Sequence, residues 1–194
     1  MLTDLVNQYR DSRGLSVLVP EEALEKTAEL YCEELVETGI LSHEDGNGDR
    51  VFNRYRKTGG TANKAGEILG TSPDPDSLFQ AWLDSSSHER ILSSPDWLRI
   101  GSSLKKKGDQ YVAVVLFSDS LIEAMEISPA DSGINLVLKI IPGHKARIRG
   151  IEGEGIDEIS LAVPEEELPL LLVLEGYRAE KWVAHDFVYQ SDNF

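Results

Sequence analysis

The chain has 194 residues, 41% of them hydrophobic and 27% charged, which is enough to bury one large core or two small ones. It carries 19 basic and 34 acidic side chains, so its formal net charge is −15. This acidity argues against nucleic acid or an anionic membrane surface as a partner, because binding either requires clustered cations. The longest apolar run, 168–174, falls far short of the ~20 residues that a bilayer span requires, so we expect no membrane span.

The cysteine content and the first residues bear on whether the protein is intracellular or exported. The single cysteine, Cys32, excludes an internal disulfide. The opening Met-Leu-Thr-Asp-Leu-Val lacks the basic and apolar regions of a signal peptide. Composition therefore leaves two alternatives open: an intracellular protein, or an exported one whose leader was removed earlier.

Apolar residues at helical spacing predict two helices at the start of the chain. The first begins at Leu2 and ends before Gly14. The second spans about 20–38, and we expect Pro20 in its first turn and Gly39 as its C-terminal residue, because proline suits the start of a helix and glycine the end.

Two shorter helices and a hairpin are predicted next. A third helix covers about 49–58, and a fourth follows the Pro-Asp-Pro-Asp sequence at 73–76 and ends at His88. The segment 99–117 alternates and then becomes apolar around a turn at Gly108, which is typical of a β-hairpin.

The remainder of the chain shows strand-sized apolar segments separated by glycine and proline. The six segments are 121–127, 134–141, 146–151, 156–163, 170–174 and 182–189. Short strands at this spacing predict an antiparallel sandwich or a small barrel. We therefore expect two domains, 1–118 with mixed helices and strands and 119–194 with strands only; the second carries 6 basic and 15 acidic residues.

Five short motifs stand in order in the first domain. They are Ser-His at 42–43, Phe-Asn-Arg-Tyr-Arg-Lys-Thr-Gly at 52–59, Ala-Gly-Glu-Ile-Leu-Gly at 65–70, Trp-x-x-Ser-x-x-His at 82–88 and Pro-Asp-Trp-Leu-Arg-Ile-Gly at 95–101. In this order and spacing they resemble the CAP superfamily (SCP/PR-1-like; cysteine-rich secretory protein, antigen 5, pathogenesis-related 1), in its bacterial form without disulfides. The resemblance covers roughly 2–117. It implies an α+β protein in which a CAP-type α–β–α sandwich precedes the all-β part.

The resemblance also implies that His43, Glu67 and His88 converge on one open cleft. Two neutral imidazoles and a carboxylate suit Zn²⁺ or another divalent cation, held inertly or used to generate a hydroxide. Without a metal, Glu67 could serve as a general base, and a purely structural role for all three is a further alternative.

Four more residues are candidates for lining this cleft. Arg54 and Arg90 would frame it and pair with carboxylates, or else form surface ion pairs of little energetic value. Trp82 is either a core residue or a surface for stacking a ligand. Ser85 stands where many CAP proteins have a second acidic residue, and Ile68 replaces their usual asparagine after Glu67.

The resemblance favours a secreted or cell-envelope protein, since CAP proteins are mostly extracytoplasmic. Its cleft would bind a divalent metal or a small ligand without catalysis, and the acidic β domain would serve attachment or recognition. One alternative is a metal-assisted hydrolase acting on peptide or cell-wall material. Another is a pure protein-interaction module acting through the β domain. The ligand class, whether small molecule, lipid or protein, stays open.

Overall fold

Helices and strands alternate in the first part of the chain and strands dominate the second in the structure, a computed structural model that describes residues 2–149, 151–153, 158–168, 170–178 and 180–190. The helices are α1 (Leu2–Ser12), α2 (Glu22–Thr38), α3 (Val51–Lys57), α4 (Pro75–Asp84) and α5 (Ser86–Leu92). The strands are β1 (Val19–Pro20), β2 (Ala65–Ser72), β3 (Arg99–Lys107), β4 (Gln110–Ser118), β5 (Ile122–Ala130), β6 (Gly133–Ile140), β7 (Ala146–Ile148), β8 (Ile151–Gly153), β9 (Glu158–Pro164), β10 (Leu170–Arg178) and β11 (Lys181–Gln190). None of the helices in the described part of the chain has the length and apolar character needed to cross a bilayer.

The chain divides into two compact units and passes from one to the other three times along the sequence. The first unit contains 1–60 and 64–119, and the second contains 61–63 and 120–194. The short segment 61–63 thus lies between two elements of the first unit along the chain but belongs to the second.

The first unit is an α–β–α sandwich around a sheet in the order β1-β3-β4-β2. Side chains of β4 alternate between its two faces because successive strand residues point in opposite directions. Ala113, Val115 and Phe117 join the core formed with α1, α4 and α5. On the other face α2 lies against β3 and β4, where the Cys32 thiol contacts the Val112 carbonyl. The helices therefore cover both faces of the sheet, as the resemblance implied.

Two of the predicted helix boundaries are confirmed and one is wrong. α2 ends at Gly39, which adopts φ 74° and whose N–H donates to the Leu35 carbonyl. α4 begins after Asp74, whose carboxylate accepts from the Ser77 N–H. Pro20, however, lies in β1 and not in a first helical turn, because it pairs with Ile100 of β3.

The segment between Trp82 and His88 also differs from the prediction of one continuous helix. Ser85 is extended, with ψ 113°, and it separates α4 from α5. Three consecutive serines at 85–87 favour this break, because serine side chains compete with the backbone for helical hydrogen bonds. His88 consequently lies in the first turns of a separate short helix.

The second unit contains two antiparallel sheets, one in the order β11-β10-β7-β8 and one in the order β5-β6-β9. In the described part of the chain these sheets are separate, as in a sandwich and unlike a closed barrel. Alternation builds the core: along β6, Ile134, Leu136, Leu138 and Ile140 are buried. The predicted segment 146–151 is divided between β7 and β8, and the start of the segment predicted at 156–163 lies outside the described residues.

A buried carboxylate in the second unit accepts hydrogen bonds from segments that are distant in the sequence. Asp186 of β11 is fully buried and accepts hydrogen bonds from the Thr61 hydroxyl at 2.7 Å and the Leu121 N–H at 2.8 Å. Burial raises the pKa of Asp186, against the opposing effect of its hydrogen bonds. The neighbouring backbone adds two bonds, from Asn63 N–H to the His185 carbonyl and from Phe187 N–H to the Thr61 carbonyl. The segment 61–63 is therefore held as an extra strand-like piece beside β11.

Candidate functional site

Glu67 is the most buried polar group of the predicted site. It lies in β2 opposite Leu116 of β4, and only 2% of its side chain is exposed. Its neighbour Ile68 points into the hydrophobic core on the opposite face of the sheet. Strand alternation therefore directs the Glu67 carboxylate away from that core and towards the layer that contains α2 and α3.

Arg54 of α3 neutralises this carboxylate. Its Nη2 donates to Glu67 Oε2 at 2.5 Å, and its Nη1 donates to the backbone carbonyls of His43 and Asp49. The guanidinium carbon lies 3.6 Å from the ring centroid of Tyr31, so a cation–π contact holds its other side. Arg54 itself is 7% exposed, and the pair is a buried salt bridge.

His43 links the buried pair to the surface. Its Nδ1 lies 2.7 Å from Glu67 Oε1, while 58% of its side chain is exposed. A neutral imidazole that donates from Nδ1 to a carboxylate keeps its Nε2 as an acceptor. The series Arg54–Glu67–His43 thus fixes one tautomer and leaves a basic nitrogen on an accessible ring.

His88 belongs to the same neighbourhood. Burial is the larger cause that lowers the pKa of His88, and an electrostatic interaction with His43 is the smaller one. The Nδ1 of His88 is buried and has no hydrogen-bond partner. An unsatisfied buried polar atom costs about 1–3 kcal/mol, which gives this position a reason to accept a ligand or water.

The three side chains do not fit a metal ion as they are arranged. Both oxygens of Glu67 are engaged, one by Arg54 and one by His43. Among the residues that the structure describes, no group of three or more His, Cys, Asp or Glu side chains is placed to hold a metal ion. The zinc site therefore stays a prediction, and the positive charge of Arg54 beside Glu67 disfavours a cation at that carboxylate.

The other predicted cleft residues fall in different places. Trp82 does not line the cleft: it is 2% exposed, lies in the core and donates from Nε1 to the Leu69 carbonyl. Ser85 is half-buried at the junction of α4 and α5, 3.1 Å from the Ser87 hydroxyl. Arg90 is exposed on α5, so of the four candidates Arg54 alone is bonded to the predicted trio.

Tyr31 of α2 is a further neighbour of the site, and the sequence motifs did not single it out. Its hydroxyl donates to the Ser42 carbonyl, next to His43. Burial raises the pKa of Tyr31 to about 12, so the ring stays neutral beside Arg54. The signal in the sequence is weak, because a tyrosine in an apolar helix stripe usually indicates packing alone.

A cavity of about 170 Å³ adjoins the buried pair on the α2–α3 side. Tyr31 and Arg54 form part of its wall, together with Thr27, Asp45 and Lys57. The volume is enough for a few water molecules or a small chemical group. The polar network is thus reachable from this side as well as through His43.

The family assignment follows from this fold and site. The family model described as "CAP: Cysteine-rich secretory protein family" matches residues 3–117, more than half of the chain. The chain therefore belongs to the CAP family, and residues 3–117 are its CAP domain.

The relatives found are bacterial. An uncharacterized protein of Bacillus subtilis, YkwD, is 24% identical over 108 residues, which are 55% of this chain and 42% of the relative. An uncharacterized protein of Borreliella burgdorferi is 30% identical over 113 residues, which are 58% of this chain and 72% of the relative. The chain thus matches less than half the length of the Bacillus protein.

Two solved structures share the fold. An outer surface protein from Borrelia burgdorferi has a TM-score of 0.56 and 30% identity, with 60% of this chain and 87% of that chain covered. An extracellular protein containing an SCP domain from Bacillus anthracis has a TM-score of 0.55 and 20% identity, with 59% and 38% covered. The second likeness supports the fold alone.

Proposed function

We propose that this protein is an extracytoplasmic CAP protein that binds a small polar ligand at His43 and His88 without chemical conversion. The observation that carries the proposal is the hydrogen bond of His43 Nδ1 to the buried Glu67 carboxylate, which is itself paired with Arg54. This arrangement presents the accessible Nε2 of His43 as a fixed acceptor. We therefore expect the ligand to donate a hydrogen bond to His43 Nε2, as an amine, an amide or an alcohol can.

The location rests on the relatives. One neighbour is named an outer surface protein and another an extracellular protein, and the first shares 30% identity with this chain. Export is consistent with the absence of any need for a reducing compartment, since Cys32 is buried and free. Fractionation of the native host, with antibody detection of this protein in the envelope or medium, tests it; recovery only in the cytosol would contradict it.

The ligand proposal can be tested with a fragment set of amines, amides, alcohols and sugars by ligand-observed NMR. We expect hits on the wild-type protein that disappear in His43→Ala. His144→Ala is the matched control, because His144 is an exposed histidine in a turn of the second unit. Hits that persist equally in His43→Ala would remove the proposal.

A divalent cation is a second candidate, favoured by the electrostatic proximity of His43 and His88. Because Glu67 is held by Arg54, we expect two imidazole ligands and weak binding, which is lost in acid because a protonated imidazole cannot ligate a metal ion. Calorimetry with Zn²⁺ on the wild type and on His43→Ala/His88→Ala checks this. Identical heats in the two proteins would exclude a metal at this position.

Hydrolysis of peptides is the remaining alternative, favoured by the resemblance of His43–Glu67 to a base oriented by a carboxylate. Incubation with a mixed peptide library, alongside His43→Ala and His88→Ala, distinguishes it from binding. Cleavage that depends on His43 would replace the binding proposal. Cleavage that is absent, or equal in all three proteins, leaves binding as the function.

A further inference from the structure

A half-open cavity of about 180 Å³ lies in the first unit, between the C-terminal end of α2 and the β3–β4 hairpin. Its apolar wall consists of Leu35, Leu41 and Val112. Leu35 and Val112 are 4% and 3% exposed, whereas Leu41 at the rim is 47% exposed. Pockets that enclose a whole drug-sized ligand have roughly 300–1,000 Å³, so this smaller cavity suits a single apolar side chain.

Three polar side chains complete the lining: Thr71 of β2, Lys107 of β3 and Gln110 of β4. The register of the sheet brings them together, because Thr71 pairs with Val112 and Lys107 pairs with Gln110. Cross-strand partners point to the same face of a sheet, and so do strand residues two apart, such as Gln110 and Val112. The polar rim and the apolar wall therefore lie on the face that α2 covers.

The cation of this rim is available to a ligand. Among the described residues, the Lys107 ammonium has no hydrogen-bond or ion-pair partner, whereas the neighbouring Lys105 pairs with Glu33 at 2.8 Å. A Cβ added to Gly39 would lie 2.9 Å from Lys107 Nζ, so the ammonium lies beside the C-terminal residue of α2. The partial negative charge of a helix C-terminus favours a cation there and leaves its hydrogen-bond donors free.

The lining contains a cation and no carboxylate, although the chain has 34 acidic residues. Two other cavities beside α2 both include carboxylates. Glu34 and Asp45 line the first, and Glu22, Glu25 and Glu29 line the second. The cavity at the hairpin thus favours a ligand that combines an apolar group with a negative charge.

We propose that this cavity binds the C-terminal residue of a peptide that ends in a branched aliphatic amino acid. The aliphatic side chain fills the apolar part, and the terminal carboxylate accepts a charge-assisted hydrogen bond from Lys107 Nζ. Gln110 and Thr71 can each donate and accept hydrogen bonds, which suits the amide next to the carboxylate. None of these residues belongs to the candidate site described above, so the proposal is independent of the proposed function.

Three peptides separate the contributions of side chain and charge, with the full-length protein labelled for NMR. The first is acetyl-Ser-Gly-Ser-Gly-Leu with a free carboxylate, the second its C-terminal amide, and the third the same sequence ending in glycine. We expect the glycine peptide to bind about tenfold more weakly, because it buries no side chain. The amidated peptide should bind about threefold to fivefold more weakly, since an ion pair at an exposed rim contributes modestly. Equal binding of the three peptides, or an unchanged Val112 amide signal with each, would overturn the proposal.

Variants locate the binding in the cavity. Lys107→Gln should weaken binding of the leucine peptide about threefold to fivefold and remove the difference between the free and amidated forms. Lys106→Gln is the matched control, because Lys106 points to the opposite face of β3, 5.7 Å from the Tyr111 ring centroid. Equal losses in the two variants would contradict a carboxylate at Lys107.

A second pair of variants tests the apolar wall. Leu41→Ala should weaken binding of the leucine peptide and leave that of the glycine peptide unchanged. Ile40→Ala is its control, since Ile40 is 66% exposed and does not line the cavity. Circular dichroism verifies that each variant is folded. A Leu41→Ala protein that binds the leucine peptide as the wild type does would place the side chain elsewhere and overturn the proposal.

Free acids test whether the amide of the peptide matters. Hexanoate and palmitate each offer an alkyl chain and a carboxylate without an amide, and the palmitate chain would extend far beyond a cavity of this size. We expect both acids to displace the leucine peptide only at concentrations well above those at which unlabelled peptide does. Displacement by either acid at an equal or lower concentration would replace the peptide with a free acid and overturn the proposal.

Discussion

Glu67 and Arg54 form a buried ion pair. Both side chains are almost completely removed from solvent, so each charge depends on the other and on the backbone carbonyls that Arg54 reaches. Removing one partner of such a pair leaves an uncompensated charge in a poorly solvated place. The same carboxylate is the hydrogen-bond partner of His43 Nδ1, so the pair also bears on the position of that imidazole.

We expect Arg54→Ala to lower the free energy of unfolding by about 3–5 kcal/mol in urea titrations. Arg50→Ala is the control, because Arg50 forms an exposed pair with Glu44 that is worth about 0–1 kcal/mol. Glu67→Gln added to Arg54→Ala should recover part of the loss, since it removes the unpaired charge. Equal effects of Arg54→Ala and Arg50→Ala would contradict a buried pair.

The pKa of His88 provides a second test at the scale of single residues. We expect NMR titration to place it below the ordinary value of 6.5, because burial and the charge of His43 both disfavour the imidazolium. In His43→Gln the pKa should rise but stay below 6.5, since burial is the larger cause. A value of 6.5 or above in the wild type would disprove this environment.

The sign of the pH effect follows from this depressed pKa. The unfolded chain binds the His88 proton at a higher pH than the folded chain does, so the contribution of His88 to stability is complete above pH 6.5. It is lost as the pH falls from 6.5 towards the folded-state pKa. His88→Gln should therefore flatten the pH dependence of unfolding in this window.

At the scale of elements, the approach of α2 to β3 depends on a glycine. A Cβ added to Gly101 would lie 2.4 Å from Glu25 N and 2.4 Å from Leu24 C, both backbone atoms of α2. Backbone cannot move aside as a flexible side chain can, so α2 would have to shift as a whole. The position of α2 matters for the site because Tyr31 supports Arg54 from this helix.

We expect Gly101→Ala to destabilise the protein by about 1–3 kcal/mol, the usual cost of overpacking. Gly46→Ala is the matched control, because its Cβ would meet only Glu34 Oε1, at 3.7 Å. Urea unfolding of both variants measures the difference. If Gly101→Ala is as stable as Gly46→Ala, α2 can move away from β3 without a cost in the free energy of unfolding.

The helices and strands show which parts of the fold can be predicted from the local sequence. Periodicity and capping residues predicted α2 and α4 because local signals, such as Gly39 and Asp74, decide where those helices end and begin. β2 was not predicted as a strand, since Ala-Gly-Glu-Ile-Leu-Gly has little alternation and its strand form depends on pairing with β4. The break at Ser85 needed the tertiary structure too, as serine permits either a helix or a cap.

The candidate site, too, was predictable from the sequence only in part. The ordered motifs of the family resemblance pointed to His43, Glu67 and His88, and two of these are directly bonded. The pairing of Arg54 with Glu67, one of two alternatives for that arginine, depends on how α3 lies over β2, which local sequence does not encode. Trp82 lies in the core for a similar reason, because the rotation of α4 decides which side meets the sheet.

At the scale of the whole molecule, the main electrostatic feature is the net charge of −15. Like charges on a folded chain repel each other, and salt screens this repulsion. We therefore expect the Tm to rise as NaCl increases from about 20 mM and to level off at a few hundred mM, where the Debye length is only a few ångströms. Differential scanning calorimetry with both NaCl and KCl measures it; a falling Tm would mean that surface ion pairs outweigh the repulsion.

The placement of Thr61 beside Asp186 has a consequence for how such proteins can diversify. A β unit transplanted onto another CAP domain by joining chains at residue 120 would arrive without the hydroxyl that bonds its buried carboxylate. The recipient would need a threonine or serine in its own loop before β2, or the buried carboxylate of the new sheet would lose the hydrogen bond to its Oδ1. Thr61 and Asp186 should accordingly be inherited together, although 124 residues separate them.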